Sequence, residues 1–459
     1  MEGSLRGRDF RLLVFATGLT SLGDELALIA LTIKVFDLTD SGLAVAGLML
    51  ATLLPLVIFA PAAGVIVDNF ETRRSLVIAS SIQAVLAVWL AFAGGMPAIL
   101  MLSFLLGTCT AVASPSIYTL APAIVGDEHA TEGNAYLETA RYAGMIPGPV
   151  LAGVLAAAIS PRVALLVDAG TFVMIGLAAL ALQVRRHPEG TGEGGGEARA
   201  GFGLVKRDRL LLISFAVIAG VVLFAAMDNV AEVFYANDAL HAGAWGYGLL
   251  ATVWLVGIVI GAAVIARRLG KERLLPAMAT AAIVGGAAVA VAGLVPVLVL
   301  ALAMFVVGGI GNGIETVSMR SIIVHRVPDR FRGRVFAAYG GLMNGMQIAA
   351  TGLAGVLVGA VGGQTALIIG GVGSAVAGLS GLVAYRTLPA EVRVMPGEEA
   401  VERPAEPETL EPELERPPVL RSIEVRTERE VASASPVPSR PDVTRIPESE
   451  PIVRRVADN

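Results

Sequence analysis

The sequence predicts an all-α membrane protein: twelve transmembrane helices in two pseudo-symmetric bundles of six, followed by a disordered tail. Three observations predict it. Of 459 residues, 55% are hydrophobic and only 16% charged, where a soluble domain carries about a quarter, and the mean hydropathy is +0.72. Apolar runs near the 20 residues that a helix needs to cross a bilayer recur twelve times. These runs fall into two sets of six with matching internal landmarks.

The spans lie at 10 to 36, 42 to 67, 75 to 94, 97 to 119, 135 to 159, 162 to 183, 209 to 235, 244 to 266, 274 to 294, 296 to 319, 335 to 359 and 363 to 386. Short Gly/Pro turns part the third from the fourth at Gly94 to Pro97, and the ninth from the tenth at Leu294 to Pro296. The first run is too long for a cleavable signal peptide and has no small-residue cleavage site. Arginine fixes the orientation, because Lys and Arg accumulate in cytoplasmic loops. Arg6, Arg8 and Arg11, Arg73 and Arg74, and the clusters Arg185 to Arg209, Arg267 to Arg273 and Arg320 to Arg334 all fall on one side, against Arg162 on the other. Both termini are therefore expected in the cytoplasm.

Residues 185 to 208, rich in Gly with basic ends, form the expected flexible cytoplasmic linker between an N-terminal bundle (1–184) and a C-terminal one (209–386). The distance from Arg11 to Gly64 is 53 residues and from Arg209 to Gly261 it is 52. Both glycines end the second span of their half just before a charged loop. Such duplicated halves place a substrate site at the midplane between them.

From about Thr387 the chain turns rich in Pro and Glu, with no aromatic residue and 16 acids against ten arginines. It cannot bury a core and is expected to be disordered, and it is open to an unknown protein partner. The remainder, with 23 acids and 24 bases, is nearly neutral, so no basic nucleic-acid footprint exists. One cysteine, Cys109, rules out a disulfide framework. His129, His187, His241 and His325 lie between the apolar runs, so neither a metal site nor an intramembrane histidine relay is expected. No cofactor is implied, and no nucleophile, base and orienting group recur together as in an enzyme.

The loop between spans 2 and 3 reads "GVIVDNFETRR", with Gly64, Asp68, Arg73 and Arg74. Gly64 permits close backbone approach, Asp68 can face the positive end of a neighbouring helix, and the arginines fix topology and can pair with acids. Span 5 reads "GMIPGPVLAG", in which Gly144, Gly148 and Gly153 suit close helix contact and Pro149 bends the helix. The run "GGIGNG" at Gly308 to Gly313 follows no soluble strand, so it is a packing element and not a nucleotide loop.

In these motifs the chain resembles the major facilitator superfamily, whose loop 2–3 pattern is GxxxDRxxxRR and whose antiporter pattern in span 5 is GxxxGPxxGG. Within it, "SLGDELALIAL", "VDAGTFVMIGL" and "HRVPDRFRGRVFAAYG" resemble the bacterial drug-efflux branch that includes macrolide and enterobactin exporters. Asn69 stands where that family has Arg, and Ala152 replaces one Gly. The family's Arg in span 4 is missing from "LLGTCTAVASPSIYTL". Arg141 is the nearest candidate, and Glu138, three residues earlier on the same helical face, makes with it a candidate pair for the cytoplasmic entrance. The resemblance implies a route between the halves lined by spans 1, 4, 7 and 10.

An acid at the centre of a span costs about 2.5 to 3.5 kcal/mol on insertion scales, so acids there are functional candidates. Asp24 lies about 21 Å into the first helix, inside a hydrocarbon core about 30 Å thick. Asp228 and Glu315 are the further candidates for proton coupling or substrate binding, Glu315 also for a gate pair with Arg320. Asp168 and Glu232 lie in the outer parts of their spans. Adjacent helix residues point about 100° apart; the resemblance gives the cavity to Asp24, leaving Glu25 for a neighbouring helix or the interface.

The reading is a secondary transporter that exports a small amphipathic molecule or drug in exchange for protons by alternating access. An exporter of a metabolite such as a siderophore, a lipid flippase, and more remotely a membrane sensor or scaffold acting through the tail are the alternatives.

Overall fold

Inside a bilayer the backbone has no water to bond to and must satisfy its N–H and C=O groups within each segment. The computed structural model describes residues 5, 7–183, 197–265 and 269–393, and among the described residues there is no strand. In chain order the helices are α1 (Arg8–Thr39), α2 (Gly42–Ile58), α3 (Ala60–Asn69), α4 (Thr72–Phe92), α5 (Met96–Val125), α6 (Ala130–Met145), α7 (Gly148–Ala158) and α8 (Pro161–Ala181). There follow α9 (Glu197–Arg207), α10 (Arg209–Phe234), α11 (Gly243–Ile260), α12 (Leu274–Leu294), α13 (Leu298–Arg326), α14 (Asp329–Val361), α15 (Gly363–Thr387) and the single turn α16 (Ala390–Arg393).

Among the described residues ten helices are long and apolar enough to cross a membrane. The other two expected spans are each made of two shorter helices end to end. Span 2 breaks at Phe59 between α2 and α3, with Pro55 and Pro61 on either side. Span 5 breaks at Ile146 and Pro147 between α6 and α7, where Pro147 and Pro149 withhold two backbone donors.

Two expectations need amendment. The C-terminal part of the linker is helical: α9 packs on α10 and α14, with Val205 buried among Leu210, Leu211 and Val335. Glycine runs masked the apolar residues that follow them, Phe202, Leu204 and Val205. The tail's expected start at 387 is also too early, because α16 folds back and the Arg393 guanidinium donates to the carbonyls of Leu388 at 2.9 Å and Arg386 at 2.6 Å. Residues 184–196 and 394–459, on which the flexible-linker and disordered-tail expectations otherwise rest, lie outside the described residues.

Packing repeats between the halves. The first span of each half packs on the sixth (α1 on α8, α10 on α15) and on the fifth (α1 on α6 and α7, α10 on α14). The fourth packs on the second and third (α5 on α2 and α4, α13 on α11 and α12). Glycines set these spacings: a Cβ at Gly286 of α12 would stand 2.5 Å from the Gly371 oxygen of α15.

The apolar core is divided in a way that matters for function. At the end remote from Arg8, Arg73 and Arg320, a single cluster joins both halves, running from Ile29, Val45 and Ala152 to Val230, Leu250 and Val358. At the basic end there are two separate clusters, one in the first half around Leu13, Leu120 and Leu137 and one in the second around Leu210, Met278 and Ile322. The halves meet where α2 packs on α14 and α7 on α11. A Cβ at Gly355 would touch Ala46 at 2.5 Å, one at Gly153 would stand 2.5 Å from the Ala244 oxygen, and the Val150 N–H donates to Thr252 Oγ1 at 3.0 Å across the seam.

A side chain at Gly286 must push α12 from α15. Gly286→Leu is expected to destabilise by about 1–3 kcal/mol, read as a lower apparent Tm of the detergent-purified protein. Gly94→Ala, with nothing within 4 Å of its Cβ, should leave Tm unchanged.

Candidate functional site

Helix α1 places Thr17, Thr20, Ser21 and Asp24 at intervals of three and four residues, one face of a helix. That face meets Thr110, Ser114 and Tyr118 of α5, Gln83 of α4 and Arg141 of α6 around a cavity of about 240 Å³. Gln83 Nε2 donates to Thr110 Oγ1 at 3.0 Å. Asp24 is exposed to this space and Glu25 half-buried. Both line it, which corrects the division made from helix geometry. The cavity wraps far enough round α1 to meet two directions 100° apart, while the stem of Glu25 packs on α7, its Cβ 2.5 Å from where a Cβ at Gly148 would be.

Beside the acids stands a polar cluster on α5 and α6. Tyr118 donates to Glu138 Oε1 at 2.6 Å. Arg141 donates to Glu138 Oε2 from Nε at 3.0 Å and from Nη2 at 2.8 Å, and its guanidinium lies 4.7 Å from the centre of the Tyr142 ring. The expected Glu138–Arg141 pair therefore exists, with Tyr118 as a third member that no spacing rule in the sequence indicated. The charge of Arg141 also acts on Glu25, and that of Arg320, from the other half, on Glu138. Arg320 is exposed and makes no ion pair with Glu315 among the described residues. Glu315 is buried in α13, its Oε2 without a hydrogen-bond partner, so the expected Glu315–Arg320 gate pair is not formed in this structure.

The other acids lie in helix seams. Asp168 of α8 is 1% exposed and fills the space left by Gly23: a Cβ there would stand 2.5 Å from its Oδ1. Thr171 Oγ1 donates to the Asp168 carbonyl at 2.8 Å, Oδ2 has no partner, and the charge of Asp24 acts on it. Asp228 of α10 sits against α15, its Oδ1 2.7 Å from where a Cβ at Gly370 would be and without a hydrogen-bond partner. Glu232, one turn on, is buried with Oε1 likewise unpaired.

The span 5 glycines divide between two contacts. Gly144 and Gly148 press on α1 at Gly18, Leu22 and Glu25, and Gly153 presses on α11 in the other half, as Pro149 does on Gly248. In the loop 2–3 motif, Arg73 donates to the carbonyls of Leu182 at 2.7 Å and Leu180 at 2.6 Å, satisfying the open C-terminal end of α8. Arg74 is exposed. Asn69 Nδ2 bonds back to Val65 within α3 at 2.8 Å. The side chains at Gly64 and Asp68, on α3, lie outside the described ones. Lys34 does for α4 what Arg73 does for α8, donating to Leu90 at 3.0 Å and Ala91 at 3.3 Å; a cation at the end of an apolar run is the only sign of it in the sequence. Among the described residues no group of acids, histidines or cysteine could hold a metal ion.

Residues 13–351 match the profile of the Major Facilitator Superfamily. The multidrug efflux pump Tap of Mycobacterium tuberculosis is 27% identical over 383 residues, covering 78% of this chain and 88% of its own. Among solved structures, the nucleoside transporter NupG superposes with a TM-score of 0.68 at 16% identity over 83% of this chain and all of its own. A bacterial homologue of the iron transporter ferroportin, in its inward-facing state, gives 0.63 at 16% identity over 82% and 98%. At such identity these structures speak to the fold alone.

The site geometry is checked by thiol labelling in a Cys109→Ser background. Asp24→Cys should react with a water-soluble maleimide, and Asp168→Cys, behind Gly23, far more slowly; equal rates would contradict the placement.

Proposed function

The chain belongs to the Major Facilitator Superfamily and is a multi-pass membrane transporter of small molecules, and on that premise we propose that it exports small amphipathic organic molecules or drugs in exchange for protons by alternating access. The observation that carries this reading is the asymmetric core, joined across the halves at one end and split at the other. With the arginine-rich end in the cytoplasm of a bacterial inner membrane, this is a state that loads from inside.

In this proposal a substrate enters between the separated basic ends and reaches Asp24 and Glu25. Loss of water around a carboxyl group favours its protonated form, and contact with water or a cation favours the carboxylate. Protonation from outside and binding of a polar or cationic substrate from inside thus compete for the same acids, and each half-cycle excludes the other. Rocking of the halves closes the basic end as Arg320 meets Glu138, and parts α7 from α11 and α2 from α14 at the other. The same movement opens the seams that hold Asp228 and Glu315, which serve as further proton or substrate acids of the second half. That the related Tap is a multidrug efflux pump favours drugs as the substrate class.

Inverted vesicles test the proposal. Uptake of a transported dye should rise with an imposed proton gradient and stop when both pH difference and potential are collapsed; uptake that survives the collapse would remove proton exchange from the account. Asp24→Asn should reduce gradient-driven uptake to background yet retain substrate–substrate exchange, which needs no net proton movement. Unaltered gradient-driven uptake would return Asp24 to a packing role.

A further inference from the structure

Helix α1 has a second polar feature, half a turn away from Asp24. Arg8, Arg11, Phe15, Leu19 and Leu22 line an outward-facing groove of about 1370 Å³ whose opposite wall is α6, with Tyr136 and Glu132, and then Pro147. Phe15 is 65% exposed in it. No side chain fills the groove, because α1 and α6 cross on small residues: a Cβ at Gly18 would stand 3.0 Å from the Ala140 oxygen. From Arg8 to Leu22 it runs about 21 Å along α1, more than half of a hydrocarbon core about 30 Å thick, which is the reach of one leaflet and its headgroups.

Charge selects the occupant. At the basic end Arg8 and Arg11 are both exposed, and neither guanidinium has a partner among the described residues. Glu132 is the one acid on the rim. Asp9, beside them in sequence, is turned aside and accepts from the Gln183 N–H at 2.7 Å. The rim thus carries two cations against one anion. Two smaller outward grooves repeat the arrangement: one of about 510 Å³ along Ile78 and Ile82 ends at Arg74, and one of about 400 Å³ along Val284 and Val307 ends at Arg273. In the second half the equivalent seam, between α10 and α14, carries the chain's own helix α9, with Leu204 and Val205 against its apolar cluster. Among the described residues no segment covers the α1–α6 seam.

We propose that the α1–α6 groove binds an anionic phospholipid of the leaflet at the basic end, its acyl chain along Phe15, Leu19 and Leu22 and its phosphate between Arg8 and Arg11. Basic pockets between spans bind such headgroups, and each arginine near a membrane surface contributes roughly fivefold in affinity. The inference is independent of what the protein transports.

The test uses the full chain in nanodiscs of phosphatidylethanolamine with a minor fraction of phosphatidylglycerol. Phe15→Trp places a reporter in the groove, and its fluorescence is taken as the difference from the parent protein, which has its own three tryptophans. Brominated phosphatidylglycerol should quench it several-fold more than brominated phosphatidylethanolamine at equal mole fraction. Adding Arg8→Gln and Arg11→Gln should abolish that preference, while overall quenching by bulk lipid persists and reports a folded, inserted protein. Equal quenching by the two lipids, or a preference that survives loss of both arginines, overturns the proposal. So does quenching that appears only after deletion of residues 394–459, which would make the acidic tail the occupant.

Discussion

A carboxyl group within a bilayer must border water, bond to a partner or lie in a protein seam, since facing lipid as a charge costs about 2.5–3.5 kcal/mol. Seven acids within the predicted spans meet this constraint in three ways, and Glu138 does so by accepting from Tyr118 and Arg141. Asp24 and Glu25 border a polar cavity, and Asp168, Asp228, Glu232 and Glu315 lie in helix seams with at least one carboxyl oxygen unpaired. A protein that only had to stand in the membrane would gain by replacing each with leucine. Retaining them requires hydrogen-bond partners, a polar cavity, which helices of the first half line around Asp24 and Glu25, or a helix seam that keeps the carboxyl group from lipid.

The span 5 motif ties these requirements together. Gly148 lies against Glu25, one residue from Asp24, and within five residues Pro149, Val150 and Gly153 lie against α11 of the other half. The acid-bearing helix and the seal between the halves therefore share one short, proline-broken segment. On the α11 side two of these contacts are backbone on backbone, Pro149 on Gly248 and Gly153 on Ala244, and on the α1 side the Glu25 Cβ leaves no room for a side chain at Gly148. The broken helix at Ile146 and Pro147 supplies a place where a shift of α1 can turn into a change of angle.

Much of this was legible in the sequence. The twelve spans followed from hydropathy, and the break in span 5 was foreshadowed by Pro149. Asp24 stood out because an acid near the middle of an apolar run is rare. What was illegible depends on the register between helices. Asp168 reads as an acid near a membrane edge, and only the docking of Gly23 on Thr171 and Asp168 brings it beside Asp24. Tyr118 reads as a membrane aromatic until α5 and α6 pack and bring Glu138 to its hydroxyl. Arg73 and Lys34 read as boundary charges, while their partners, the carbonyls that end α8 and α4, are present in every helix and leave no mark in any residue name. Glu25 was assigned from the 100° rule together with the family resemblance at Asp24, and the rule fixes direction on one helix but not the width of the space it faces.

The central claim is that one end of the protein opens as the other closes. Double electron–electron resonance between paired spin labels in the Cys109→Ser protein measures it: one pair at the exposed positions Glu128 and Gly333 of the basic end, the other at Leu38 and Val361 of the opposite end. On acidification, or on adding a transported compound, the first distance should shorten and the second lengthen within the same population shift. Distances that stay fixed at both ends, or that lengthen at both together, would contradict the account.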